Sequence, residues 1–580
     1  MNKLPGTSAD ILADNIAKIK QLFPEVFNED KIDFERLQEI LGEYVEDKEE
    51  RYRFEWNGKS RALRLSQTPS TGTLRPRKEE SKDWDTTENL YIEGDNLEVL
   101  KLLQKTYHNR IKMVYIDPPY NTGGDFVYKD DFKDNIKNYF EITGQTDKEG
   151  KKLSTNSETS GRYHTDWLNM MYSRLRLARN LLTDDGVIFI SIDGNELGNI
   201  IRVGNQIFGE LNQVGIIANI NNPKGRSDDK FIATAHEYIL VYAKLINGLR
   251  WFGFAPTQEV ITRYNKVDTN GRKYREIDLR KTGENDLRED RPNLFYYFYY
   301  NERTSDFYPS KENNTPQDYI QIKPQRKDGK EGNWRWGLDT AKNQIRSLIP
   351  KFMPARKVWG VMEKDYLDQR SLLKPTSAWT FKDVNSERGS EEFINLDFDK
   401  RIFPKPKPIG TISRCIKLGA SENDIILDFF SGSATTAHAI LQLNAEDGGN
   451  RKFIMVQLPE PIDEKSEAYK AGYKNICEIG KERIRRAGEK IKKEMQGQQL
   501  KLGEEPKEVP DIGFKVFKLD SSNLKKWNPD YENLESSLMD MVSNYVDGRT
   551  EEDVLYEIML KYGIDLTYPI ETEVVEGKQI

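Results

Sequence analysis

Apolar residues in the first 45 positions recur at helical spacing. Ile11, Leu12, Ile16, Ile19 and Leu22 predict one helix; Phe34, Leu37, Ile40 and Leu41 predict a second, with Asp33 as its N-cap. Residues 57–87 are turn-rich and charged, a lead-in that wraps the domain after it. From Leu90 the period shortens. Leu90-Tyr91-Ile92-Glu93 predicts a strand, Gly94-Asp95 a turn, and Leu97, Leu100 and Leu103 one face of a helix. Met113-Val114-Tyr115-Ile116 predicts a buried strand, ended by Asp117-Pro118-Pro119-Tyr120. Asp125 to Ser160 is polar and aromatic by turns and reads as a long loop, mobile without ligand. Trp167 to Leu182 is a periodic helix stopped by Asp184-Asp185-Gly186, and residues 187–193 (VIFISID) are another buried strand. Short strands follow over Val214–Ile220 and Tyr238–Ala243. Strands alternating with helices predict an α/β domain.

From Trp251 to Phe398 that alternation fades and aromatics crowd among basic and amide residues. It returns at Asp424. Residues 425–443 (IILDFFSGSATTAHAILQL) read as strand, small-residue turn and helix, and residues 452–461 (KFIMVQLPEP) as a buried strand with Glu460 just after it. Beyond about 495 a Gln/Lys/Glu-rich linker leads to a small domain over 511–580, with helices near 534–546 and 550–562.

Composition narrows the classes. With 580 residues, 37% hydrophobic and 32% charged, the chain is long enough for two to four domains with a large core. No run approaches a membrane span, and MNKLPGTSAD has no signal-peptide core, so a cytoplasmic protein is expected. Cys415 and Cys477 fit neither a metal spacing nor a disulfide framework. The net charge of −7 excludes a basic nucleic-acid coat. Residues 251–358 nevertheless hold 21 Lys/Arg against 15 Asp/Glu, a locally basic footprint. There Trp334, Arg335 and Trp336 either approach base edges or build a small β-rich core; Tyr296, Phe298 and Tyr300 read as core.

The candidate chemistry lies at strand ends. Two consecutive prolines fix two φ angles and remove two donors, so Asp117 to Tyr120 is a stiff turn holding a carboxylate, carbonyls and a ring. Open α/β sheets place ligands there. The exocyclic amine of adenine is a poor nucleophile because its lone pair is delocalised. The Asp117 carboxylate and Pro118 carbonyl suit that amine by accepting both its hydrogens, and Tyr120 suits stacking on an extruded base. On its own the turn is equally a proline-rich surface turn capped by Asp117. Asp95 either accepts from a nucleotide or caps its helix. Gly432 lets a ligand approach backbone N–H groups, although the dinucleotide fingerprint is absent. Glu460 either accepts from ribose hydroxyls or is a solvated loop residue. Phe403 to Pro408 leads into a helix that can fold over the same ligand, and His236 reads as a structural histidine rather than a general base.

In order, these stretches carry a resemblance. The Asp-Pro-Pro-Tyr turn precedes DFFSGSA with a large insert between them, as in the β-class of amino-directed DNA methyltransferases. TGTLRPRKEESKDWDTTENLYIEGDNLEVLKLLQ, DPPYNTGGDFVYKDDF, GRYHTDWLNMMYSRL, TDDGVIFISID, GFKVFKLDSSN and YGIDLTYPIE resemble the modification subunit of type III restriction-modification systems. The resemblance spans nearly the whole chain.

It implies a Rossmann-like, circularly permuted sheet that binds S-adenosylmethionine, cut open between the strand ending near Glu460 and the strand ending near Asp95. The implied domains are an N-terminal helical and lead-in region (1–88), a catalytic half (89–244), a target-recognition domain (245–400), a cofactor half (401–495) and the C-terminal small domain (511–580). Asp117, Pro118, Pro119 and Tyr120 would bind the target adenine. Asp428, Phe429, Phe430, Ser431 and Gly432 would line the methionine and ribose side of the cofactor, Glu460 would meet its ribose and Asp95 its adenine. Phe403, Pro404 and Lys405 would pack near its methionine moiety. The resemblance further implies an adenine-N6 methyltransferase on double-stranded DNA, a homodimer, an ATP-dependent restriction partner and no metal. Against the family pattern the chain stops at Ile580, short of the usual C-terminus, which bears on partner binding more than on catalysis. The rival readings are an N4-cytosine enzyme, a methyltransferase without a nuclease partner, a specificity subunit without catalysis and a nicotinamide-dependent oxidoreductase.

Overall fold

The structure, a computed structural model, describes residues 7–28, 31–41, 53–123, 163–497 except 228, 355 and 371, then 508–525, 545–571, 573–575 and 578–579. The predicted loop 125–160 and all but the end of the predicted helix 534–546 lie outside them. The chain forms two compact units, residues 1–252 with 376–580, and residues 253–375.

The larger unit is built on a ten-stranded sheet. Its strands are β1 (Gly72–Pro76), β2 (Leu90–Glu93), β3 (Ile111–Ile116), β4 (Leu182–Ile192), β5 (Gln213–Asn219), β6 (Glu237–Ala243), β7 (Ala378–Trp379), β8 (Ile425–Asp428), β9 (Lys452–Gln457) and β10 (Lys515–Ser521). Across the sheet they run β7-β5-β6-β4-β3-β8-β9-β2-β10-β1. The six central neighbours from β4 to β10 are parallel, so their carboxyl ends share one edge. β6 runs antiparallel to β4 and therefore begins at that same edge. All six residues of β3 are buried, which requires the continuous apolar run seen there. Lys112 fits by sending its ammonium out to the Asp185 carboxylate, 2.7 Å away.

Helices cover the sheet. After two N-terminal helices that bury no residue, α1 (Ile11–Leu22) and α2 (Phe34–Leu41), they include α3 (Asn96–Thr106), α4 (Tyr163–Leu181), α5 (Ile409–Gly419), α6 (Thr435–Asp447), α7 (Ile476–Gln496) and α8 (Glu551–Tyr562). The permuted order is explicit. β9 and β2 are parallel neighbours, although the chain reaches them from opposite ends of the fold.

The structure redraws three boundaries. Residues 511–580 do not form a separate domain: β10 pairs with β2 and β1 and so belongs to the large sheet. The N-terminal lead-in likewise supplies an edge strand, β1. The inserted unit is narrower than 245–400. Trp251 stacks on Phe189 of β4, and β7 extends the large sheet beside β5, which ties both flanks to the larger unit.

The smaller unit holds a four-stranded antiparallel sheet (Lys266–Val267, Lys273–Asp278, Leu348–Met353, Val358–Tyr366) and a three-stranded one (Tyr297–Tyr300, Phe307–Ser310, Ile320–Ile322). Its core includes Leu279, Tyr296, Phe298, Ile322, Trp334 and Val361. Trp334 is buried and donates to the Tyr296 carbonyl at 2.8 Å, so it is a core residue and not a reader of bases. Arg335 pairs with Glu363, Arg275 with Asp365, and Lys351 with Glu276, so acids within the unit engage part of its basic surplus.

Candidate active site

The sheet brings the predicted stretches together. Asp117 follows β3, Phe429 to Gly432 follow β8, Glu460 lies past β9 and Asp95 past β2, at the carboxyl edge of four adjacent strands. The Asp117–Tyr120 turn is anchored from α4, where the buried Trp167 Nε1 donates to the Pro119 carbonyl at 2.7 Å. Asn121 continues it in the left-handed region (φ 60°), and its Nδ2 donates to the buried Glu196 carboxylate at 2.6 Å. The same Glu196 oxygen lies 2.6 Å from His164 Nδ1. Among the described residues no hydrogen bond reaches the Pro118 carbonyl, which leaves it to an incoming donor.

Two further residues complete this cluster, and sequence reasoning did not single them out. Lys407 Nζ donates to Glu237 Oε2 at 2.6 Å and to Tyr120 Oη at 2.5 Å, and lies 3.3 Å from Asp117 Oδ1. Tyr120 Oη donates in turn to Glu237 Oε2 at 3.1 Å. Glu237 opens β6, which the sheet direction carries to the site, whereas the neighbouring His236 packs edge-on against Tyr238. Lys407 stands between Pro406 and Pro408 before α5. A basic residue locked between two prolines was the available signal. Of the predicted flanking residues, Phe403 packs into the fold while Pro404 and Lys405 are exposed.

Burial pushes the Asp117 carboxyl up; Lys407 pulls it back and Glu237 pushes it further, leaving it above the usual carboxylate range. Burial works against the Lys407 ammonium too, but Asp117 and Glu237 more than offset it, so the lysine stays charged. Burial, then Asp117 and Glu237, hold the Tyr120 hydroxyl well above its ordinary value, so it stays neutral.

The second turn, past β8, is built for close approach. Asp428 Oδ1 accepts from the Phe430 N–H at 3.0 Å and Oδ2 accepts from Thr436 Oγ1 at 2.5 Å. Its buried carboxyl, pushed up to about 7 by burial, thus shapes the turn from within. Gly432 has φ +51° and donates its N–H to Gln457 Oε1 at 2.7 Å; a Cβ there would meet the Phe403 ring at 3.5 Å. The buried Tyr91 hydroxyl faces Ser431 and Cys477, and among the described residues neither it nor the Ser431 hydroxyl closes a well-formed hydrogen bond. A Cβ on Gly480 of α7 would stand 2.7 Å from Tyr91 Oη and 3.3 Å from the Gly432 carbonyl. Asp95 caps α3, accepting from Leu97 N at 3.0 Å and Glu98 N at 3.1 Å, and its other oxygen faces the fully buried Arg174 at 3.4 Å. The partly exposed Glu460 lies just past β9, and its carbonyl accepts from the Ile476 N–H of α7 at 3.2 Å. Small residues, a positive-φ glycine, an aromatic ring and carboxylates at both ends fit a nucleoside with a charged tail.

The DNA methylase family model matches residues 111–487. The chain is 34% identical to the Mod subunit of the EcoPI type III restriction-modification enzyme of Escherichia phage P1, over 81% of this chain and 73% of that protein. It is 32% identical to the EcoP15I Mod subunit of Escherichia coli, over 87% of this chain and 77% of that protein. It is also 35% identical to the type II methyltransferase M.KpnI of Klebsiella pneumoniae, over 68% and 86%.

Proposed function

Because the chain belongs to the DNA methylase family, and within it to the Mod subunits of type III restriction-modification enzymes, we propose that it methylates the N6 amino group of one adenine within a defined DNA site. The observation that carries this reading is the direct pairing of β3 with β8, which sets the Asp117–Tyr120 turn beside the Asp428–Gly432 turn. S-adenosyl-L-methionine, when bound, supplies a methyl group on a cationic sulfur: the N–CH3 bond forms as the S–CH3 bond breaks, and the nitrogen then sheds one proton.

The chain's own residues prepare that nitrogen. Asp117 and the Pro118 carbonyl accept its two hydrogens and favour a pyramidal amine whose lone pair points at the methyl group. Tyr120 stacks on the adenine once the base has left the duplex. No covalent enzyme intermediate is needed, so catalysis is positioning plus charge stabilisation. Phe429, Phe430, Ser431, Gly432 and Phe403 hold the donor's methionine and ribose side, Glu460 its ribose and Asp95 its adenine end. Asp428 supports them by fixing the turn. The unit Gly253–Pro375 reads the DNA site, and the working assembly is a homodimer joined by an ATP-dependent restriction subunit.

Long-read sequencing of DNA from a methylation-free host expressing this chain alone tests the reading. N6-methyladenine at every copy of a short asymmetric site, on one strand, is the expected result. Methylated cytosine would overturn the base assignment, and unmodified DNA the reaction.

A further inference from the structure

The cluster around Asp117 holds more charge than binding an amine requires. Two carboxylates and one ammonium from three separate elements meet there: Asp117 after β3, Glu237 at the start of β6, and Lys407 before α5. The ammonium is rigidly delivered. Pro406 and Pro408 flank it, and the Pro406 carbonyl lies so close to Gly389 that a Cβ on that glycine would stand 2.0 Å away. Glu237 is fixed as well, since its Oε1 accepts from the buried Asn219 at 3.1 Å.

We propose that Lys407, held by Glu237, is a positioning residue for methyl transfer: it keeps Asp117 ionised and leaves it available to the amino group, while pinning the Tyr120 ring by its hydroxyl. This rests on the reading of the site as an adenine-N6 methyltransferase. The physical need is plain. A protonated Asp117 has one oxygen turned from acceptor to donor and no longer draws the amine's hydrogens. The groups facing Asp117 are Lys407, Glu237, Tyr120, Tyr115 of β3 and Asp428 of β8, and among these only Lys407 is cationic. Glu237 has the opposite task. It shares the ammonium at 2.6 Å, against 3.3 Å for Asp117, so the cation does not close on Asp117 and shut out the substrate.

The two partners therefore leave opposite signatures. Single-turnover methylation of a duplex carrying the site is followed from pH 5 to 9 with saturating S-adenosyl-L-methionine. Lys407→Met is expected to lower the rate at pH 7 at least tenfold and to move the acid limb up by about one pH unit, because Asp117 loses its cation. Glu237→Gln is expected to lower the rate too, but to move the acid limb down, because Lys407 then pairs with Asp117 alone. Lys407→Arg keeps the charge and should hold the acid limb near its wild-type position. Cofactor affinity by calorimetry should change less than threefold in all three.

Acid limbs that stay in place, or move the same way in the Met and Gln variants, overturn the proposal. So does an Arg variant whose acid limb moves up from its wild-type position, and this arm stands if Lys407→Met fails to fold. A wild-type protein that methylates no DNA would instead refute the parent reading.

Discussion

Trp167 Nε1 donates to the Pro119 carbonyl oxygen across 2.7 Å, joining α4 to the turn that follows β3. The bond separates two adjacent proline carbonyls: Pro119 is tied to the scaffold, and among the described residues no hydrogen bond reaches Pro118. It also explains a fully buried tryptophan whose polar tip needs a partner.

Trp167→Phe removes that bond and part of the ring's volume. Stability should fall by about 1–3 kcal/mol. The methylation rate should fall about tenfold, because the turn is held less firmly. Urea unfolding and single-turnover assays check both, and an unchanged rate would show that the turn holds its shape without α4.

Asp117→Ala removes the acceptor and leaves the Lys407–Glu237 pair in place. Methylation should drop by about a thousandfold or more. Affinity for S-adenosyl-L-methionine, measured by calorimetry, should stay within about threefold, since the second turn is untouched. Lost cofactor binding with normal turnover of the residual complex would contradict the assigned role.

Arg174 is fully buried and donates to the Asn96 side chain at 2.5 Å and the Met170 carbonyl at 3.1 Å, besides facing Asp95. Asn96 in turn donates to the Phe429 carbonyl at 2.7 Å, so this guanidinium couples both proposed cofactor ends. Arg174→Met should destabilise the fold by about 3–5 kcal/mol, since it strands a carboxylate near a buried face. Cofactor affinity should weaken with it. Full affinity in a folded variant would argue that Asp95 only caps its helix.

Asp428, pushed up to about 7 by burial, predicts a pH signature. An unfolded chain releases this proton near pH 4, the native state only near 7. The resulting stability is present below the unfolded value, declines between the two, and is lost above the folded one. The loss is on the order of 4 kcal/mol at most. Asp428→Asn should flatten that decline, so its stability gap to wild type narrows between pH 5 and 8. Urea midpoints of the cofactor-free proteins at both pH values test it, and a constant gap would refute it.

How much was legible in the sequence depends on whether a residue's role is set by its neighbours in the chain. β3, β8 and β9 announced themselves because strands buried on both faces of a parallel sheet must be apolar throughout. The Asp117–Tyr120 turn and the Gly432 turn were legible because prolines and a positive-φ glycine impose local geometry wherever they stand. Residues 511–580 read as a separate domain because the apolar positions of β10, Val516, Phe517 and Leu519, do not name the strands they pair with. Trp334, which the sequence left open between base contact and core, is buried because Tyr296 and Phe298 close over it.

By itself, the sequence determined the α/β class and the four strand-end stretches, since apolar period and turn chemistry are short-range properties; the permuted order was implied by the family resemblance those stretches carry. Only the tertiary structure decided that Lys407 and Glu237, 170 residues apart, converge on Tyr120 and Asp117. That convergence follows from strand direction: antiparallel β6 starts at the edge where parallel β3 ends, and no local pattern encodes which strands become neighbours.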